Sequence, residues 1–314
     1  MRLRLSCLPA FRGSLLLALA CVARVAAAQP SLASEATFSP QLFHPAPGPT
    51  EFMTIEAARP LLHLQVAAGV SFDYARNPLA ILTYSSRTQD PYGVKVFAQA
   101  HAISGEAWVA LGLFDRAQLA LSLPALLYGS GQSFDGDQPP PDGVHVRPPS
   151  GAALGDPRLH LKVRLYGKPR GFQVALSHWL SAPLGTANRF GGEPHWTGFA
   201  GEPRLLLEWI GSGRIRAGLS VGFHWRARPS TYYSAGANQA ITYGAAVAVE
   251  VVLQRLQLIA ELYGHHDFGA RMDYTAASPL ELDVAGRVQL GRGVALTVGV
   301  GVGVLEGVGA PRPR

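Results

Sequence analysis

Several residue groups have types and spacings that could do chemistry. Gly218-Leu219-Ser220-Val221-Gly222 matches G-x-S-x-G, the elbow that presents a hydrolase serine on a strand-to-helix turn. His265-His266-Asp267 pairs imidazole with carboxylate, a combination used for metal binding and for proton transfer. Asp135-Gly136-Asp137 with Asp142 brings carboxylates close enough to suggest calcium. A larger set carries only charge. Arg158, Lys162, Arg164, Arg204, Arg214, Arg216 and Arg226 recur on one side of alternating segments, as do Glu208, Glu250, Glu261, Glu281, Asp283 and Arg287.

The surrounding pattern decides among these. Ser220 sits inside a run that alternates strictly from Ile215 to Trp225, where no sharp turn can form. The His265 group has no second cluster spaced to complete a metal site, and the aspartate group lacks the twelve-position calcium pattern, with Pro139, Pro140 and Pro141 stiffening its loop. These groups are read as polar strand and loop residues. No catalytic residue, cofactor or metal is expected. His101 and His160 fall by parity on the inward faces.

A period of two runs through most of the chain. Leu62, Leu64, Val66, Ala68, Val70, Phe72 and Tyr74 form one face; Leu159, Leu161, Val163 and Leu165 another; Val294 to Val304 a third, opposed by Ala295, Thr297, Gly299, Gly301 and Gly303. Runs of this length suit tilted strands that cross a bilayer. Eleven strands are expected, at about 61–84, 92–113, 117–128, 158–167, 172–182, 202–210, 215–226, 242–253, 256–266, 280–290 and 293–304. Proline should break the first near Asn77-Pro78, and a parity switch places a bulge in the second near Gly105.

Short turns at 114–116, 167–171, 211–214, 254–255 and 291–293 alternate with long polar segments at 85–91, 129–157, 183–201, 227–241 and 267–279. That asymmetry belongs to transmembrane barrels, with short periplasmic turns and long outer loops. The fold class is therefore all-β, an antiparallel up-and-down transmembrane β-barrel of about 11–12 strands. Phe114, Phe172, Trp209, Phe223, Trp225 and Tyr263 lie near strand ends, where an aromatic girdle would stand.

Composition agrees. The 314 residues are 48% hydrophobic and 15% charged, below the roughly 25% charge usual in soluble domains. Residues 1–28 read as a signal peptide, with Arg2, Arg4 and Arg12, the apolar stretch Ser14–Val22, and small residues at Ala26 and Ala28. A membrane anchor and a lipoprotein through Cys21 are the other readings of that stretch. With it removed, 23 basic residues face 21 acidic ones, since Arg24 is the fourth arginine of the leader and the leader holds no acid. The basic character is thus largely the leader's, and nucleic acid is excluded as a partner. Cys7 and Cys21 also lie there, leaving no thiol chemistry after export. Domains follow: 1–28 signal peptide, 29–58 an irregular periplasmic lead-in, 59–305 the barrel, 306–314 a short tail.

Four segments together resemble the N-terminal barrel of OmpA-family outer-membrane proteins over residues 50–310. They are Gln65–Leu82, the run Leu119–Tyr128, Gly155-Asp156-Pro157-Arg158-Leu159, and Ser278-Pro279-Leu280-Glu281. The resemblance implies an outer-membrane location and often a C-terminal peptidoglycan-binding domain, which is not seen here. It carries over no catalytic residue. After Val304 the chain runs Leu305 to Arg314 without the final strand the resemblance implies. Eleven strands would meet in parallel at the seam, unless the count is one short or the reading frame is cut.

The charged residues named above are expected to line the lumen, a basic side opposite a largely acidic one. They either pair and plug it or leave it wet for small solutes. The function expected is a passive pore for small solutes or a structural membrane protein, surrounded by outer-membrane lipids. A soluble periplasmic or secreted β-protein binding a small apolar ligand is the alternative, and an outer-membrane hydrolase using Ser220 is less favoured.

Overall fold

A computed structural model describes residues 39–83, 94–135, 145, 146, 148, 151–168, 170–186, 199–211, 214–227, 230–232, 235–237, 239–268, 277–291, 293–305 and 307–314. Residues 1–38, the aspartate-rich stretch 136–142 and much of the long connections lie outside the described residues.

Eleven long strands make one antiparallel sheet in chain order: β1 (Val66–Thr83), β2 (Val94–Leu113), β3 (Ala117–Ser130), β4 (Arg158–Gly167), β5 (Gly171–Ser181), β6 (Ala200–Ile210), β7 (Ile215–Arg226), β8 (Gln239–Val252), β9 (Leu256–Phe268), β10 (Leu280–Gly291) and β11 (Val294–Leu305). Each strand pairs with its chain neighbour, the up-and-down order expected. Ala153–Leu154 adds a short rung to β3, and two small hairpins stand in the long connections. The first expected irregularity occurs: the β1–β2 register shifts between Arg76 and Leu79, with Asn77 at φ 52°. The bulge expected in β2 near Gly105 does not: β2 pairs with β1 without a break from His101 to Leu111, and the β2–β3 shift between Ile103 and Ser104 takes its extra residue from β3, at Leu127.

The unbroken parity of β2 has a consequence for His101. It is turned outward with Ile103, Ala107 and Val109, and its ring stacks on Tyr74 with its Nδ1 2.7 Å from the Tyr74 hydroxyl. His101 is thus not a lumen group: the small residues Ala98 and Ala102 beside it face inward, so apolar character misstates the inner face there.

The short turns close tightly. Phe114 and Asp115 both take positive φ (55° and 56°), the geometry of a two-residue hairpin turn matched to strand twist. His63 holds that turn: its ring stacks on Phe114 and accepts the Phe114 N–H at 3.1 Å, while Asp115 accepts the His63 N–H at 2.7 Å.

The two faces of the sheet are opposite in character to a soluble protein. Large apolar side chains face outward: Phe72 is 70% exposed, Val300 69% and Leu219 54%. Gln118, Lys162, Glu208, Arg216, Glu261 and Glu281 are buried on the other face. The sheet curls around residues 39–65, a stretch without helix or strand. Glu51 of that stretch reaches β4, β7 and β10 at once. The expected lead-in is irregular, as its sequence suggests, but it runs along the inside of the barrel wall.

β1 and β11 share no ladder among the described residues. The tail stands between them. Arg312 N–H donates to Arg76 O at 2.7 Å and Arg76 N–H to Pro313 O at 2.9 Å. On the tail's other side, Arg314 N–H donates to Gly301 O at 2.9 Å and Gly303 N–H to Pro311 O at 2.9 Å.

Candidate functional site

The interior is built from strand side chains and the irregular lead-in. A segment with no ladder of its own must place its backbone groups elsewhere, because an unpaired buried N–H or C=O is costly. Glu261 on β9 accepts the backbone N–H of Met53 and of Thr54 (2.9 Å) and the Thr54 hydroxyl (2.6 Å). Arg216 on β7 donates to Thr50 O and to Glu51 O (3.1 Å), and its guanidinium lies 4.1 Å from the centre of the Phe52 ring. Arg287 on β10 donates to Glu51 O at 2.6 Å and to Phe52 O. Gln118 on β3 accepts the Leu61 N–H at 3.1 Å and donates to Pro47 O at 2.7 Å.

Charge is matched in the same way. Lys162 on β4 bonds Glu51, and both are almost fully buried. Arg204 on β6 meets Glu56 at 3.5 Å and Glu202 through Nε. Glu208 lies between Arg216 (3.4 Å) and Arg59 (3.5 Å). Apolar contacts complete the seat. Phe52, Ile55 and Ala57 pack against Ala246, Ala248, Ile259 and Tyr263.

On the side of the long connections a cavity of about 190 Å³ remains between the lead-in and the wall. Arg158, Arg204, Glu106, Glu202, Asp156 and Trp179 are among its lining residues. His44 spans part of it, its Nδ1 3.1 Å from Glu106 and its Nε2 3.1 Å from Arg158. Burial, and next the Arg158 charge, lower its pKa to about 4. A neutral ring fits that position: Nδ1–H donates to Glu106 while Nε2 accepts from Arg158. Asp156, in the loop before β4, is pushed up to about 6 by burial, partly offset by the Gly185 N–H and by Arg158.

At the seam Arg314 bridges Asp73 on β1 (2.6 Å) and Glu281 on β10 (2.6 Å). Gln41 adds a bond to Asp73 at 2.7 Å, and Tyr263 donates to Asp283 at 3.0 Å.

The structure brings together most of the charges the sequence points to. Arg158, Lys162, Arg204, Arg216, Arg226, Glu208, Glu261, Glu281, Asp283 and Arg287 share the inner side of the sheet. Arg164, Arg214 and Glu250 do not join them. They stand at the short-turn rim, where Arg164 donates to Asp115 O (2.8 Å), Glu250 accepts the Gln254 N–H (3.4 Å) and Arg214 is exposed. A strand's last residues keep its parity but run out past the lumen. The expected opposition of a basic and an acidic side is also altered. Partners come from the lead-in or from adjacent strands, because the lead-in occupies the space between the sides.

Tyr263 departs from the aromatic girdle. It is buried on the inner side beside Asp283, whereas Phe114, Phe172, Trp209 and Phe223 face outward. Sequence reading missed His44, Glu51, Glu56 and Arg59, which lie in a segment with no period. It also missed Glu106, which shares the inward parity of Ala102, Ser104 and Ala110, and Arg314. Glu202 shares the parity of Arg204 and Glu208 and was legible by that signal. Ser220 lies mid-strand in β7, opposite Leu206 and Gly244, so the elbow geometry is absent there. His266 Nδ1 lies 2.7 Å from the Ser278 hydroxyl, and no metal-binding cluster occurs among the described residues.

Curled antiparallel sheets of this length, apolar outside and charged inside, form the class of up-and-down β-barrels. Among solved structures the chain is similar to one described as the COG4313 outer membrane channel from Pseudomonas putida F1. The TM-score is 0.55 at 14% identity, over 86% of this chain and 96% of that one. No family model matches the chain, and no curated protein sequence matches it.

Proposed function

We propose that the protein is an outer-membrane β-barrel that acts as a passive pore for small solutes, held near-closed at rest by residues 39–65. It would reach the membrane after export and cleavage near Ala28. The observation that carries the reading is the inverted distribution of side chains. A wall with Phe72, Leu219 and Val300 outward and Glu208, Arg216 and Glu261 inward is stable where its surroundings are hydrocarbon. The lipids of the outer membrane are then the partners of the apolar face. The likeness to a solved outer membrane channel supports the fold, and no nucleic acid or cofactor enters the reading.

The bonds to the lead-in favour the closed resting state. They also favour the second reading, a structural barrel whose lumen never opens. Two measurements separate the possibilities. Cold and boiled samples from isolated outer membranes should migrate differently on an SDS gel, as a closed barrel resists detergent until heated. Discrete current steps from the same protein in a planar bilayer would support the pore. A protein that shifts on boiling but conducts nothing would be the structural barrel. A protein soluble without detergent would end both readings in favour of a periplasmic or secreted binding protein.

A further inference from the structure

The cavity of about 190 Å³ between the lead-in and the wall is lined by two opposite charges that are only partly satisfied. Glu106 on β2 is 4% exposed. Its Oε2 takes the bond to His44, while its Oε1 has no hydrogen-bond partner among the described residues. A buried carboxylate oxygen in that position calls for a donor, because leaving it unmatched is costly. Arg158, the first residue of β4, carries several N–H donors. Among the described residues its guanidinium bonds only His44 Nε2, at 3.1 Å, and it lies 5.0 Å from the centre of the Trp179 ring.

The other charges around the cavity answer one another. Glu202 accepts from Arg204 at 2.5 Å and from the Thr242 hydroxyl, and His224 lies 3.3 Å from it. Arg204 also reaches Glu56 at 3.5 Å, and Asp156 accepts the Gly185 N–H at 2.8 Å. An acceptor on Glu106 and a set of donors on Arg158 remain. His44 fixes their separation. Its ring bonds one at Nδ1 and the other at Nε2, so carboxylate and guanidinium stand roughly 8 Å apart at most, two hydrogen bonds and the width of an imidazole.

We propose that this cavity binds a small zwitterion of the α-amino-acid type, its ammonium on Glu106 Oε1 and its carboxylate on Arg158. An ammonium and a carboxylate on one carbon, with a charge-assisted hydrogen bond at each end, match the span that His44 sets. The space equals that of about six water molecules, so the solute is small. A plain carboxylate would leave Glu106 unanswered, and a plain ammonium would leave Arg158 so. A zwitterion answers both and brings no net charge into the interior. His160 Nδ1 and His224 Nε2, which line the same cavity and have no partner among the described residues, offer polar contacts to the rest of the solute. The site rests on the pore reading for its supply of solute and names the class that this lumen retains.

Calorimetric titration of the folded protein in detergent with L-alanine, propionate and ethylamine tests this. Propionate lacks the ammonium and ethylamine lacks the carboxylate. Alanine should bind about tenfold or more tightly than either. Glu106→Gln and Arg158→Gln, each checked for a heat-dependent gel shift, should each lose about tenfold in alanine affinity. Arg164→Gln makes the same change of charge at the rim and should bind alanine as the parent does. A parent that binds propionate or ethylamine as well as alanine, or binds none of the three, would overturn the proposal whether or not the variants fold. So would a folded Glu106→Gln or Arg158→Gln protein with parental affinity. Heat of binding is read without current, so the two readings fail separately. Conduction without alanine binding would keep the pore and remove the site; alanine binding without conduction would keep the site in a barrel that is not a pore.

Discussion

Lys162 on β4 and Glu51 of the lead-in meet in the interior of the barrel, the amine of one against the carboxylate of the other, with neither open to solvent. The pair ties a segment without secondary structure to the wall around it. Removing one partner strands the other's charge, which typically costs about 3–5 kcal/mol in a buried pair. Glu51→Gln and Lys162→Met should therefore each loosen the lead-in and raise the fraction of time that single channels conduct. The double variant Glu51→Leu with Lys162→Met should recover most of the lost stability. Planar-bilayer recordings with the temperature of the gel shift read both effects. Single variants that conduct as the parent does would show that the pair does not hold the lumen shut.

Two glycines mark where the lead-in touches the wall. A Cβ on Gly218 would lie 2.6 Å from the Phe52 ring, and one on Gly244 would overlap the Ile55 side chain. Valine suits a strand, so Gly244→Val should leave β8 intact while evicting residues 52–55. Conductance several-fold above the parent, with the heat-dependent gel shift retained, is the expected outcome. A folded Gly244→Val protein with parental conductance would mean that the lead-in is not the obstruction.

Arg314 neutralises two carboxylates that belong to opposite sides of the seam. Arg314→Ala leaves Asp73 and Glu281 facing each other near Asp283, without their shared cation. The temperature of the gel shift should fall, in keeping with a loss of about 3–5 kcal/mol. Asp73→Asn, which keeps the hydrogen-bonding shape and removes one charge, should cost less. Equal shift temperatures in parent and Arg314→Ala would remove the tail from any role in holding the seam.

Asp156 gives a pH dependence with a definite sign. Its folded-state pKa is raised to about 6 by burial, against an ordinary value near 4, with Arg158 and Arg226 acting the other way. Ionisation therefore costs stability at pH 7, and that cost fades as the pH falls through 6 towards 4. Asp156→Asn keeps an acceptor for the Gly185 N–H and carries no charge. It should be more stable than the parent at pH 7 and equal to it near pH 4 in denaturant titrations. Equal stability at pH 7 would show that the carboxylate is not penalised there.

The wall of the barrel is written locally, and that is why it could be read. Every strand from Leu159–Leu165 to Val294–Val304 carries its own two-residue period, and parity sends Lys162, Arg216 and Glu261 to the same side without knowledge of the rest. Apolar character misleads where small alanines face inward, as Ala98 and Ala102 do, and that set His101 on the wrong face although β2 keeps one parity from His101 to Leu111. Parity itself overreaches at strand ends, where Arg164, Arg214 and Glu250 pass the rim. The lead-in had no local signal. Glu51, Thr54 and Glu56 are defined by partners 111, 207 and 121 residues away, and an aperiodic segment rich in proline gives no hint of them.

The lead-in also constrains the order of assembly. It is the first part of the described chain, yet Arg287, which anchors it through Glu51 O, lies 236 residues later. Loop-closure entropy must be overcome before so distant a contact is rewarded, and high contact order slows folding. Residues 39–65 must therefore wait, extended and unsatisfied, until β10 is in place. They must also be inside the curling sheet before its edges come together, since a finished wall would leave Phe52 and Ile55 no lateral way in. The slowest step of folding should then be the simultaneous seating of this segment and closure of the wall. Mutations that weaken its contacts should then slow that step.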